Sequence, residues 1–205
     1  MARSGVTPRY PCAQSAPALD DAQRLADAGA LHVALHRVEQ SQPAQAGTAG
    51  WPEWERLRIA LLAQLERHQE VLRRVDQLPD KGLAAPVLRQ FLGSAARAAV
   101  ALGQGSNARA YAARALWLLQ PGAEEARTLR ALVIDSHLAD RQPEAAYRAM
   151  LRYQQDYQPL DRATAARFVE TLVDAGLEKE AIAWLSQLDE ASPLRLLLRL
   201  RTGLL

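Results

Sequence analysis

The chain has 205 residues, of which 49% are hydrophobic and only 5% aromatic, so alanine and leucine supply most of the apolar surface and helix is favoured over strand. A formal net charge of +2 gives no basis for a nucleic-acid partner, and the single cysteine, Cys12, excludes an intrachain disulfide or a cysteine-based metal centre. No apolar run approaches the roughly 18 residues that span a bilayer, so membrane insertion is not expected.

Residues 1–17 contain Pro, Gly, Ser and Arg but no apolar signal-peptide core, and they are expected to form a disordered tail. The small-residue run from Cys12 to Ala18 resembles the surroundings of a signal-peptidase cut. Helices are predicted over 18–28, 30–42, 52–65 and 68–78. The longest loop runs from Gln42 to Gly50, and Trp51 and Trp54 after it are expected to pack the second hairpin on the first. Further helices are predicted over 85–102, 106–119, 123–138, 143–156, 161–175 and 178–189, with Pro143 in a first turn and Pro193 closing the last. The leucine-rich segment 194–205 reads as the first helix of an incomplete sixth unit.

The units share a frame. In the clearest one, Gly176 stands at a turn and is followed by Ala181, Leu185, Leu188 and Pro193. The same frame fits Gly29 with Ala34, Val38, Ser41 and Pro43, and Glu66 with Val71, Val75, Leu78 and Pro79. It also fits Gly103 with Ala108, Ala112, Ala115 and Pro121, and Asp140 with Ala145 and Ala149, although Arg152 then falls where a small residue belongs. These anchors are spaced by 37, 37, 37 and 36 residues. The pattern resembles the tetratricopeptide repeat, stretched beyond its usual 34 residues or so. The resemblance implies an all-α, right-handed α-solenoid of antiparallel helical hairpins over 18–205, with units near 18–43, 52–79, 85–121, 123–159 and 161–193 and the incomplete one at 194–205.

Few residues group as chemistry would require. His32 and His36 share a helix face, with Glu39 as the nearest third ligand, but the frame turns both outward, so no metal is expected. Ser136 and His137 are adjacent and therefore point about 100° apart on a helix, with Asp135 and Asp140 nearby; ordinary helix surface is expected rather than a nucleophile and its base. Glu124, Glu125, Glu178 and Glu180 lie at helix starts, where carboxylates offset the helix dipole. Gly103-Gln104-Gly105 has no strand before it and reads as a turn. Neither an enzyme nor a cofactor is expected.

The resemblance implies that a peptide or protein segment binds along a concave face made by the first helix of each unit. Carried onto this sequence, that face comprises Arg56, Gln90, Arg97, Arg127, Arg130, His137, Glu170 and Asp174. Its middle is basic, which favours an acidic peptide or a terminal carboxylate. The Lys/Asn/Arg carboxylate clamp of some family members is not matched. The expected function is a non-catalytic interaction scaffold. Two alternatives are the helical accessory region of a larger bacterial cell-envelope protein, of lytic transglycosylase or polysaccharide-export type, and a self-assembling module pairing through Leu194, Leu197, Leu198 and Leu204. A soluble protein is expected, in the periplasm or alternatively the cytoplasm.

Overall fold

The computed structural model describes residues 15–79, 82–119 and 124–203, and every regular element among them is helical. These are α1 (Ser15–Asp27), α2 (Leu31–Ser41), α3 (Trp51–Gln64), α4 (His68–Asp76), α5 (Ala85–Ala101), α6 (Gly105–Trp117), α7 (Glu124–Ala139) and α8 (Pro143–Asp156). Then come α9 (Arg162–Asp174), α10 (Glu178–Ala181) running into a 3₁₀ helix (Ile182–Gln187), and α11 (Pro193–Thr202). The all-helical expectation holds among these residues. Beyond shifts of one or two residues at other helix ends, three points differ from the sequence reading. Ser15 to Pro17 belong to α1 rather than to a tail. The expected helix 178–189 tightens to 3₁₀ winding after Ala181, which brings Ala181 and Trp184, three residues apart, to one fully buried line. Pro193 opens α11 at its first turn instead of closing the helix before it. Residues 1–14 with Cys12, and Pro121, Gly122 and Leu204, lie outside the described residues.

The chain divides into two compact units, 1–84 and 85–205, at a boundary between the second and third predicted hairpins, where the sequence reading has one domain. In the first unit α3 is central: it packs on α1, α2 and α4 and buries Trp51, Trp54, Leu57, Ile59, Leu61 and Leu62. In the second unit α5, α6, α7 and α8 pack each on the next, and α9 packs on α8, α10, the 3₁₀ helix and α11. Its core is stitched by edge-on aromatic rings. Phe168 meets Trp184 at 5.5 Å and Tyr153 at 5.7 Å, and Tyr147 meets Trp184 at 6.0 Å between centroids.

One local motif recurs at five turns. Gly29, Glu66, Gly103, Arg141 and Gly176 have φ of 79°, 57°, 69°, 55° and 74°. At each, the N–H of this left-handed residue donates three residues back and the next N–H donates five back, with N···O distances of 2.8–3.1 Å. This Schellman arrangement satisfies the carbonyls left over at the helix end and reverses the chain. The fifth residue after each left-handed position (Ala34, Val71, Ala108, Ala146 and Ala181) is no more than 1% exposed. A small or slim side chain there lets the second helix approach the first closely. The fourth turn corrects the sequence frame by one residue: its left-handed residue is Arg141, not Asp140. Ala146, Met150 and Tyr153 are the buried positions there, while Ala145 and Ala149 are half-buried and Arg152 is exposed.

Asp140 does other work. It accepts from Arg109 Nη2 at 2.7 Å and from the backbone amides of Gly105 and Ser106, so a side chain at the end of α7 caps the start of α6. Gly105 is more than punctuation: a Cβ there would lie 2.0 Å from the Ser136 carbonyl oxygen and 2.5 Å from the Asp140 carboxyl group. Ser136 is correspondingly fully buried, contrary to its expected place on the surface, and its hydroxyl donates to the Val133 carbonyl at 2.6 Å.

At Gly29, Gly103 and Gly176 an added Cβ would meet nothing within 4 Å, so backbone conformation rather than space selects glycine. Glu66→Gly and Arg141→Gly should therefore each raise the unfolding free energy by about 1 kcal/mol, and Gly103→Ala should lower it similarly, in denaturant titrations. The Arg109 guanidinium, with the two amides, holds the Asp140 carboxyl below the usual carboxylate range. A carboxyl depressed on folding stabilises fully above its unfolded pKa and ceases to as pH falls through the folded one. Asp140→Asn should thus lower stability at pH 7 and flatten its decline toward pH 3, measured by urea unfolding across pH.

Candidate functional site

Each unit carries a shallow pocket between helices that open successive hairpins. In the first unit it occupies about 370 Å³ between α1 and α3, lined by Asp20, Gln23 and Asp27 on one side and Glu53, Arg56 and Ala60 on the other. Arg56, the sequence-predicted residue there, thus stands among carboxylates. In the second unit a pocket of about 360 Å³ is lined by Arg127, Thr128 and Ala131 of α7, Ala163, Thr164 and Arg167 of α9, and Tyr153 of α8.

The rim of the second pocket is set by the start of α9. Asp161 is its N-cap, accepting from the Thr164 amide at 2.8 Å and the Thr164 hydroxyl at 2.7 Å. Those bonds hold its carboxyl below the usual range. Arg127 lies over the Tyr157 ring at 5.2 Å, and Arg167 over Phe168 at 6.0 Å. Asp135 approaches Arg167 at 3.8 Å; burial pushes its carboxyl up, and Arg167 opposes that only in part. Burial likewise raises the Tyr153 phenol.

The other predicted residues are placed as follows. Gln90, Arg97, Glu170 and Asp174 are exposed on α5 and α9. Arg130 is paired with Asp156 at 2.7 Å, and His137 shares a 3.2 Å hydrogen bond with Gln142. Of the predicted set, the α7–α9 pocket brings in Arg127 alone. Arg167, Thr164 and Tyr153 were missed by the sequence reading. A usable signal existed in the Asp161/Thr164 cap, with Arg167 one turn further along the same face.

On α11, Leu198 is fully buried and so not free for the self-association expected of it, while Leu194 is half-buried against the core of the second unit. The exposed leucines there are Leu196, Leu197 and Leu200. His32 and His36 are exposed, and His36 Nε2 lies 2.8 Å from Gln40 Nε2. No group of three or more His, Cys, Asp or Glu among the described residues is placed to hold a metal ion. No helix among them is long and apolar enough to cross a membrane.

The first unit also holds a fully buried carboxylate that sequence reasoning passed over. Glu55, on the central helix α3, takes a two-pronged contact from Arg74, with Nε at 2.8 Å, and a 2.5 Å bond from Gln42 Nε2. Arg58 extends the network to Gln42 at 3.2 Å and Glu39 at 3.0 Å. The long loop is thereby tied, through Gln42, to α3 and α4. Arg74→Ala would leave a buried charge without its counter-ion and should cost roughly 3 kcal/mol. The double change Glu55→Leu/Arg74→Leu should be close to neutral, since it removes both charges. Denaturant unfolding of the two variants checks this.

No protein-family model, no curated protein and no solved structure matches the sequence.

Proposed function

We propose that the chain is a divergent tetratricopeptide-like repeat array, an α-solenoid of hairpins, that acts as a non-catalytic scaffold by holding a segment of another protein against its first helices. The observation that carries this reading is the recurrence of one pocket type. A shallow cleft opens between first helices in each unit, α1/α3 in one and α7/α9 in the other. The five identical left-handed turns support the repeat reading, because each returns the chain to the same register with a buried small or slim residue five positions on. A cleft between first helices suits an extended or helical segment, whose side chains enter successive gaps.

The test uses peptides selected by display against the whole chain. Ala163 and Ala60 are exposed and line the two clefts, so a tryptophan at either fills its cleft with little disturbance of the core. A selected peptide should lose at least about tenfold in affinity to Ala163→Trp or to Ala60→Trp, and nothing to Ala113→Trp on the exposed face of the second helix α6. Unchanged affinity in both cleft variants would show that binding lies elsewhere.

A further inference from the structure

Seven large hydrophobic side chains are exposed among the described residues, and three of them share one face of α11: Leu196, Leu197 and Leu200, at 57%, 37% and 53% exposure. The opposite face is occupied, since Leu198 is fully buried and Leu194 is half-buried against the core of the second unit. At about 100° of turn per residue, Arg195 and Arg199 border the leucine stripe on one side and Arg201 borders it on the other. α11 contains no Asp or Glu. Arg199 is exposed and makes no ion pair among the described residues. Arg195 donates to the Leu188 carbonyl at 3.1 Å, and Arg201 reaches Glu178 at 3.2 Å with 48% of its side chain still exposed. Of the two carboxylates just ahead of α11, Asp189 is held by Arg162 at 2.6 Å, and Glu190 stands in the intervening turn.

From this arrangement we infer that α11 lies flat on an anionic lipid surface, its leucines at the level of the acyl chains and its arginines among the headgroup phosphates. A leucine stripe with basic borders is the pattern that suits the boundary between headgroups and acyl chains. The aliphatic stem of an arginine runs along apolar surface while its guanidinium fork reaches a phosphate. A second copy of the chain is the poorer occupant. Two such stripes paired about a twofold axis would bring their arginine borders together, with no carboxylate on α11 to offset them. Three partly exposed leucines also fall far short of the roughly 800 Å² per partner that a stable protein interface buries. Aromatic anchors, which dominate such interfaces, are absent from α11. A lipid surface requires no complementary shape and accepts a single helix face. The contact is peripheral, because no helix among the described residues is long and apolar enough to cross a membrane. It is separate from the two clefts and stands or falls without them.

The experiment sediments the whole chain with large vesicles, either of phosphatidylcholine alone or of phosphatidylcholine and phosphatidylglycerol in equal parts. Binding to the mixed vesicles should be at least about tenfold tighter and should fall at high salt. L196Q/L200Q and R199Q/R201Q alter exposed side chains, so each should weaken that binding at least about fivefold with helical circular dichroism unchanged. R37Q/R73Q removes the same charge from exposed positions on α2 and α4 and should bind as the parent does. An environment-sensitive fluorophore on C12S/L196C should shift to the blue with mixed vesicles, and one on C12S/A113C should not. Equal binding to both vesicle types, undiminished binding by either α11 variant, or an equal loss in R37Q/R73Q overturns the inference. So does no binding to either vesicle; a mass that then rises with concentration in the parent but not in L196Q/L200Q would assign the stripe to a second copy instead.

Discussion

The conformation of a single residue at each turn, φ near +55° to +80°, is the constraint on which the helical hairpins depend. It lets two successive amides cap the carbonyls of the outgoing helix, and it fixes where the incoming helix begins. The residue five positions later then faces the preceding helix at close range, and only slim side chains are found there. Three of the five turns supply the conformation with glycine. Two force it on Glu66 and Arg141, so helix packing in those hairpins must hold strained backbone in place.

Arginine does most of the lateral work between helices. Within the second unit, Arg89 reaches Glu125, Arg109 reaches Asp140 and Arg130 reaches Asp156, each joining neighbouring helices. In the first, Arg74 and Arg58 bind Glu55, Gln42 and Glu39. Of the arginines on the face that reads as basic in the sequence, Arg130 is closely paired with Asp156, Arg127 reaches Glu124 only at 3.6 Å, and Arg97 is exposed. How closely an arginine is paired is a property of distance that composition does not carry.

The helices were legible because they rest on alanine and leucine periodicity broken by glycine and proline. Gly29, Gly103 and Gly176 marked their turns because glycine is the usual residue for a left-handed turn. Arg141 left no such mark, and Asp140 beside it looked like a turn residue, so the frame slipped by one in that hairpin. Ser136 and Gly105 were misread for a tertiary reason. Each is set by the close approach of α6 to α7, and a buried hydroxyl that bonds its own backbone looks, in sequence, like any surface serine. The candidate site was legible only in part: Arg127 was found from the frame, whereas Arg167 and Tyr153 enter through packing among α7, α8 and α9.

If the turns set the register and the clefts between first helices are where a partner lies, the partner should be reachable from inside a cleft and not from the opposite helix. The direct measurement is photo-crosslinking in the native cell, with a benzophenone amino acid placed at Ala163 or Ala60 within the clefts, or at Ala113 on α6 outside them. The expected result is a discrete protein adduct from at least one cleft position and none from Ala113. Adducts from Ala113 with none from either cleft would contradict the account.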